Sequence, residues 1–562
     1  MTFKYSKLFS RKATPQSQPI PGSTQVPNLA GGFAWPVDDW MRLDRFLILG
    51  SEGGSYYATE RALTRENAEA VERCVKADGQ RVVERVVAIS DAGRAPKNDP
   101  AIFALAMAAK LGDFETRRAA HAALGKVCRT GTHLMHFAED VQAFGGWGRG
   151  TRSAVASWYN GKPAAKVAYQ VVKYQSRDGW SNRDLLRLAH PKAASPDHDL
   201  VYRWVVKGGF TPLGSNGGGE LPETVPEALA VIQAFEAAKK AKDVREIVEL
   251  VRAHNLPREC VPTEWLSHAP VWEALLERMP LTAMVRNLAT MTRVGLLKPL
   301  SAATRLVTER LGDGKRLAEA RVHPIAILAA LKTYESGHGA RGQNTWTPVG
   351  AIVDALDEAF YATFRTVEPS GARTLLALDV SGSMDSGVVA GVPGLTPRVA
   401  SAAMALVTAA TEKQHAFVAF TCAAGGGYGG QWGGGAPSLT ELTISPKWRL
   451  DRVVKAVSGL PFGGTDCAQP MLWALEKKVA VDTFVIYTDS ETWAGKVHPA
   501  QALREYRQRT GIPAKLVVVG MVSNGFSIAD PADGGMLDVV GFDTATPSVI
   551  SDFGKVQPRE RL

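Results

Sequence analysis

The feature that most constrains the fold is an Asp-x-Ser-x-Ser motif at residues 379–383, directly after the largely apolar run 374–378. A second apolar run, 484–487, ends just before Asp489. Runs of this kind are typical of strands that are buried on both faces of a parallel sheet. Because the loops beyond the carboxyl ends of such strands meet at one crevice, we expect Asp379 and Asp489 to converge.

Three hydroxyl side chains accompany the two carboxylates. Ser381 and Ser383 lie two residues apart on the predicted turn, and Thr465 belongs to a Gly-Gly-Thr-Asp segment at 463–466. Hydroxyls and carboxylates are hard oxygen donors that suit Mg²⁺, with Mn²⁺ or Ca²⁺ as alternatives, rather than zinc. The sequence therefore predicts one divalent-metal site formed by Asp379, Ser381, Ser383, Thr465 and Asp489. The pentapeptide by itself could be a chance turn, so the prediction depends on all three segments.

The pattern around this site predicts the fold class of the C-terminal part, residues 369–562. Strand-like runs alternate there with helical stretches, which is typical of an α/β doubly wound domain. The glycine-rich segment 425–435 interrupts this alternation, and we expect it to be a mobile loop.

The preceding part of the chain has a different character. A chain of 562 residues is too long for one core. Residues 28–368 contain a string of amphipathic or apolar helical stretches with almost no convincing strands, which predicts an all-α array of HEAT-like hairpins. Residues 1–27 carry four cations followed by Pro- and Gln-rich sequence, and they are predicted to be a disordered basic arm.

Positive charge is concentrated in the helical part. The net charge is +12 over residues 1–350 and −3 over residues 351–562, against +9 for the whole chain. Residues 141–190 alone have a net charge of +6, with Arg149 and Arg152 among their cations. A helix that begins with Pro163 in its first turn would place Lys166, Lys173 and Arg177 in one stripe. Such a stripe suits a surface that binds phosphates, although a solvated helix face is an equal alternative.

Several segments together resemble the Ro autoantigen family, which joins a TROVE module to a von Willebrand factor A domain. The resemblance is carried by Gly-Trp-Gly-Arg-Gly (146–150), the stretch 173–190 that ends in Leu-Leu-Arg-Leu-Ala-His, Gly-His-Gly-Ala-Arg-Gly (337–342) and Met-Leu-Asp-Val-Val-Gly-Phe-Asp (536–543), and by the metal motif, which is similar to a metal-ion-dependent adhesion site. It implies a helical ring that binds Y RNA on its outer surface and the single-stranded ends of misfolded or structured non-coding RNA in a central hole. It also implies that Lys173, Arg177 and His190 contact Y RNA.

The resemblance further implies a role in RNA quality control, with a 3′ exoribonuclease such as polynucleotide phosphorylase as a candidate partner. We expect a non-catalytic, cytoplasmic monomer. Five cysteines without a Cys-x-x-Cys pair indicate a reducing compartment, and the sequence lacks an apolar run long enough to span a membrane. A metal-dependent nuclease is the first alternative, but two-metal hydrolysis needs a second ion. A protein adhesion module is the second alternative.

Overall fold

A computed structural model describes residues 13–52, 55–207, 226–339, 343–364, 367–389, 395–422, 438–460 and 463–555. The glycine-rich segment 425–435, which is predicted to be a mobile loop, lies outside these residues.

The first part of the chain is a helical region, defined here as α1–α17, with two short β-ribbons. Its helices are α1 Asp39–Leu49, α2 Glu60–Asp91, α3 Asp99–Leu111, α4 Phe114–Val127, α5 Gly131–Ala143, α6 Arg149–Asn160, α7 Ala164–Lys173, α8 Asn182–Ala189, α9 Pro196–Lys207, α10 Ala230–Ala238, α11 Val244–His254, α12 Ala269–Arg278, α13 Leu281–Arg293, α14 Ala302–Gly312, α15 Gly314–Glu319, α16 Pro324–Ser336 and α17 Gly350–Ala362. Its strands are β1 Val26–Pro27, β2 Phe33–Pro36, β3 Ser176–Arg177 and β4 Trp180–Ser181.

Successive helices pack against one another as hairpins. Helix α3 packs against α4 and α5, while α4 packs against α6, and α6 against α8. Local sequence sets the ends of these helices. Helix α8, for example, begins at a capping box between Ser181 and Asp184 and ends at His190, whose φ is 45°. The predicted array of helical hairpins is therefore confirmed.

The second part is a C-terminal sheet domain, defined here as β5–α22. Its strands are β5 Thr374–Asp379, β6 His415–Phe420, β7 Leu439–Leu442, β8 Thr483–Thr488, β9 Lys515–Gly520, β10 Phe526–Ser527 and β11 Met536–Val540. Its helices are α18 Pro397–Thr411, α19 Leu450–Ser458, α20 Gln469–Glu476, α21 Pro499–Thr510 and α22 Thr546–Gly554.

Six strands form a sheet in the order β11-β9-β8-β5-β6-β7, in which β7 runs antiparallel to β6 and the other neighbours are parallel. Alternate residues of β5 enter two separate cores. Leu376 and Leu378 pack on one side of the sheet, whereas Leu375 and Ala377 pack on the other. The doubly wound fold is thus confirmed, and β5 lies beside β8, which places Asp379 and Asp489 at neighbouring strand ends.

Residues 13–27 differ from the prediction of a disordered arm, because they are folded against the C-terminal sheet domain. The side chain of Gln16 is fully buried, and its Nε2 donates to Asp466 Oδ1 at 2.8 Å and to the Val497 carbonyl at 2.7 Å. Strand β2 then pairs antiparallel with both β1 and β10. The partners of Gln16 are more than 400 residues away in the sequence, so local composition could not reveal them.

The helical region closes on itself at a seam beside β11. The guanidinium of Arg321, just before α16, donates to the backbone carbonyl of Asp91 at 2.6 Å and to its Oδ1 at 2.7 Å. The ring of His323 bonds to the carbonyls of both Arg94 and Phe542, and Arg94 pairs with Asp543. The last helices thus return to the turn between α2 and α3. Among the described helices, none has the length and apolar character needed to span a membrane.

Candidate metal centre and nucleic-acid interface

The structure brings the five predicted metal ligands to one end of the sheet. Asp379 ends β5, and its Oδ1 accepts the backbone N–H of Ser381 at 2.9 Å. The Ser381 and Ser383 hydroxyls lie 3.1 Å apart, and Asp489 directly follows β8. The loop that carries Thr465 joins them, because the N–H of Gly382 donates to the carbonyl of residue 463 at 3.3 Å. All five side chains are buried.

Electrostatics favour a cation at this position. Burial raises the pKa of the Asp379 carboxyl, and burial together with the nearby charge of Asp379 raises the pKa of Asp489. The hydroxyl of Ser490, next to Asp489, is buried without a hydrogen-bond partner in the described part of the chain. A hard divalent ion fits this set of two buried carboxylates and three hydroxyls, next to the unpaired hydroxyl of Ser490.

The donor set of two carboxylates and three hydroxyls fits one ion. No group of three or more His, Cys, Asp or Glu side chains that could hold a metal is found within the residues that the structure describes. The set therefore differs from the carboxylate clusters of two-metal hydrolases. Sequence analysis missed one supporting residue, Thr488, whose hydroxyl donates to Asp379 Oδ2 at 2.7 Å and fixes that carboxylate.

The predicted basic stripe is only partly correct. Lys166 and Lys173 lie on α7, whose apolar side is buried as predicted, but the helix ends at Lys173. Arg177 instead lies in β3, because Asp178 and Gly179 adopt positive φ angles of 53° and 78° and turn the chain into a hairpin. Arg177 remains exposed, so it stays available to a ligand although it is not on the helix.

The other predicted RNA-binding residues lie on neighbouring elements. Arg149 and Arg152 are exposed on the first turn of α6, and His190 is exposed at the end of α8, which packs against α6. The Nζ of Lys173 lies 5.5 and 5.3 Å from the ring centroids of Tyr169 and Tyr174. In chain order, the six residues lie on α6, on α7, on β3 and directly after α8.

A basic groove between α4 and α6 was not predicted. This groove of about 810 Å³ is lined by Lys110, Arg117, Arg118 and His121, and within the described chain no acidic side chain lines it. Burial and the neighbouring cations Arg117 and Lys110 lower the pKa of His121. The adjacent cations at 117 and 118 were the available signal in the sequence, but they lie outside residues 141–190, in which the predicted binding residues were sought.

Two further features make this groove suitable for a phosphate chain. The N-terminus of α6 opens onto it at Gly148 and Gly150, with no side-chain cap, so its first N–H groups add positive potential. Phe114, at the start of α4, lines the groove and is 67% exposed, which offers a ring for base stacking.

A helical array closed beside a doubly wound domain with an adhesion-type metal motif defines the class of proteins that join a TROVE module to a von Willebrand factor A domain. Sequence-family models agree: the one described as the TROVE domain matches residues 26–213 and 250–333, and the one described as the Ro60 vWA domain matches residues 373–554. The chain belongs to the Ro60 family, as the relatives below show.

The relatives match along almost the whole chain. A protein of Deinococcus radiodurans named RNA-binding protein RO60 is 43% identical over 533 residues, which cover 94% of this chain and 95% of that protein. A protein of the same name in Caenorhabditis elegans is 36% identical over 601 residues, covering 95% and 90%. The crystal structure of the D. radiodurans RO (RSR) protein superposes with a TM-score of 0.68 at 42% identity, covering 92% of this chain and 99% of that one.

Proposed function

We propose that this protein is a non-catalytic RNA-binding protein that holds structured or misfolded non-coding RNA for quality control. Y RNA would bind the outer surface, and single-stranded RNA ends would enter a central hole. The observation that carries the proposal is the set of exposed cations on α6, α7, β3 and α8. The groove between α4 and α6 supports it, because no acidic side chain of the described residues lines that groove. The names of both curated relatives support RNA as the ligand.

Cations arranged in this way bind RNA mainly through its phosphates. Each neutralised phosphate releases counterions, so affinity depends on salt, and several modest contacts add up to strong binding. Lys173 is half-buried, and its pairing with two tyrosine rings restricts its side chain. Base stacking on Phe114 would add sequence-independent affinity for unpaired segments.

The metal site belongs to the same proposal. Mg²⁺, or Mn²⁺ or Ca²⁺ in its place, would be held by the Ser381, Ser383 and Thr465 hydroxyls, with Asp379 and Asp489 supplying negative charge. The bound ion would supply a positive charge that binds a carboxylate of a partner. A 3′ exoribonuclease such as polynucleotide phosphorylase is the candidate protein partner. None of the five cysteines, all of which lie in the described part of the chain, is in a disulfide, which supports a reducing compartment, and we propose a cytoplasmic monomer.

The decisive experiment compares RNA binding by the wild type with that of the double variant Lys173→Ala/Arg177→Ala. We expect weaker binding of a Y-like RNA and a slope of log affinity against log salt that is shallower by about 2, one for each lost phosphate contact. Lys477→Ala, an exposed lysine after α20, is the control and should bind like the wild type. Equal affinity and slope in all three proteins would remove this surface from the proposal.

A metal-dependent nuclease is the competing enzyme hypothesis. Incubating labelled RNA with the protein and Mg²⁺ should leave the RNA intact, since the donor set suits one ion. Cleavage that is lost in Asp379→Ala would instead support the nuclease. A pure adhesion module predicts that RNA affinity survives neither moderate salt nor a competitor RNA, so competition with an excess of tRNA separates that alternative.

A further inference from the structure

The buried amide of Gln16 lies between the two loops that carry Thr465 and Asp489. Its Nε2 donates to Asp466 Oδ1 at 2.8 Å, and Asp466 directly follows Thr465 in the sequence. Its Oε1 accepts the hydroxyl of Thr492, which belongs to the loop that begins at Asp489. One side chain from the start of the chain therefore bonds to both loops.

The two loops also bond to each other beside Gln16. The carbonyl of Thr465 accepts the backbone N–H groups of Trp493 and Ala494, each at 3.1 Å. The backbone N–H of Cys467 donates to the hydroxyl of Thr492 at 3.2 Å. The backbone position from which the Thr465 side chain leaves is thus set by contacts with the loop that follows β8.

The packing at this junction is tight. The backbone N–H of Gly495 donates to Gln16 Oε1 at 3.3 Å, and the carbonyl of Gly495 accepts the N–H of Gln16 at 2.9 Å. A Cβ atom at Gly495 would collide with both Asp466 Oδ1 and Gln16 Nε2. Because the Gln16 side chain and Asp466 are both buried, water cannot readily replace the amide if it is removed.

Other contacts hold the segment around Gln16 without involving the metal loops. The N–H of Thr14 donates to Gln501 Oε1 on α21 at 3.0 Å, and Gln25 Nε2 bonds to the ring of His498 at 3.2 Å. The contacts of Gln16 with the two loops can therefore be changed separately from the contacts that dock the segment.

We propose that Gln16 is a positioning residue of the metal site, whose amide fixes the spacing between the loop of Thr465 and the loop of Asp489. The inference rests on the metal site of the proposed function. Held at this spacing, a hydroxyl and a carboxylate from separate loops can serve one divalent ion. Coupling of this kind is reciprocal, so an ion that binds better to the joined loops must also stabilise the bonds of Gln16 by the same free energy.

The first test uses the full chain with Mn²⁺ as the probe. Gln16→Met keeps a side chain of similar length and removes the amide. We expect calorimetry to show Mn²⁺ affinity about tenfold lower, as is typical when a residue that orients metal ligands is lost. Thr14→Val is the matched control, because it removes the hydroxyl that Gln501 Nε2 contacts at 3.3 Å but leaves the metal loops unchanged. It should bind Mn²⁺ like the wild type.

The second test follows hydrogen exchange over residues 14–33 with and without Mn²⁺. Exchange in the wild type should slow when the ion binds, because the ion stabilises the contacts of Gln16. Gln16→Met should lose this response. A merely structural role would change the exchange rate without making it depend on the ion. The wild-type measurement needs no variant, so it decides the proposal even if Gln16→Met does not fold.

Two results would overturn the role of Gln16 while leaving the metal site intact. One is Mn²⁺ binding by the wild type that leaves exchange over residues 14–33 unchanged. The other is an equal Mn²⁺ affinity of Gln16→Met and Thr14→Val, whether both match the wild type or both are weakened. If the wild type binds no Mn²⁺, the metal site of the proposed function is wrong and the role of Gln16 falls with it.

Discussion

The guanidinium of Arg45 on α1 binds both carboxylate oxygens of Asp538 on β11, at distances of 2.9 and 2.7 Å. Arg45 is fully buried and also donates to the carbonyls of Asn524 and Phe526, each at 2.9 Å. One side chain of the helical region is therefore part of the core of the C-terminal sheet domain, so the two parts are expected to depend on each other for stability.

Arg45→Ala should lower the free energy of unfolding by about 3–5 kcal/mol, because it leaves the Asp538 carboxylate without its charged partner in a buried position. Urea denaturation measures the change. Arg65→Ala is the control: that arginine is exposed, pairs with Glu69 four residues on, and should change stability by less than about 0.5 kcal/mol. If the two substitutions have equal effects, the buried pair does not couple the two parts.

Acid should weaken the seam at His323. The Nδ1 of His323 accepts the Ile325 N–H, so Nε2 carries the proton that bonds to the Arg94 and Phe542 carbonyls. Burial lowers the pKa of His323 to about 4, below its ordinary value near 6.5. Between pH 6.5 and pH 4, the unfolded chain binds a proton on this histidine that the folded chain does not bind. The contribution of His323 to the free energy of unfolding is therefore complete above pH 6.5 and is lost as the pH falls towards 4.

His323→Gln should therefore show a smaller loss of stability between pH 7 and pH 4.5 than the wild type, by up to about 3 kcal/mol. Thermal unfolding at a series of pH values measures it. His268→Gln, at an exposed position, should follow the wild-type curve. A His323→Gln curve parallel to that of the wild type would show that this histidine does not govern the pH dependence.

The groove between α4 and α6 should contribute to RNA affinity. Arg117 is exposed on α4 and lines the groove, so Arg117→Glu both removes a cation and introduces a repelling charge. We expect RNA binding at low salt to weaken at least about tenfold, since each opposed phosphate costs on the order of 1–2 kcal/mol. Lys315→Glu, at a cation 86% exposed on α15, is the matched charge reversal. The groove is not part of the interface if both variants lose the same affinity.

Divalent metal should raise the thermal midpoint of the wild type. At a free Mg²⁺ concentration about 100 times the dissociation constant, ligand linkage adds about 2.7 kcal/mol to the free energy of unfolding. Thr465→Val removes one hydroxyl ligand at nearly constant volume and should abolish most of the increase. Ser445→Ala, elsewhere in the same domain, should retain it. A wild-type midpoint that responds neither to Mg²⁺ nor to a chelator would show that the site stays empty.

The sequence predicted the C-terminal sheet domain well because its pattern is local. Each apolar run, such as 374–378, stops at a polar residue where the strand ends, and β5 and β8 are buried on both faces as that pattern implies. The five residues predicted as metal ligands come together for the same reason, since each is attached to a strand end or to a glycine-containing loop; that they bind a metal stays a prediction.

Contacts between distant segments were not predictable from local pattern. Gln16 and Arg45 are ordinary polar residues in the sequence, yet both are fully buried by partners more than 400 residues away. The stripe of cations failed at Arg177 for another reason, because the turn at Asp178 and Gly179 ends the helical spacing. Asp and Gly at 178 and 179 are both common in turns, and they indicate that the helix ends before them. The predicted stripe nevertheless applied the helical spacing as far as Arg177.

The contacts of Arg321 with Asp91 and of His323 with Arg94 and Phe542 also restrict how such a chain can change over evolution. An open array of helical hairpins tolerates the gain or loss of a hairpin, because each unit touches only its neighbours. Here an added or deleted hairpin would carry Arg321 away from Asp91, so the number of hairpins between those two residues is fixed by the need for both ends to meet. Insertions are therefore expected in the loops that connect helices.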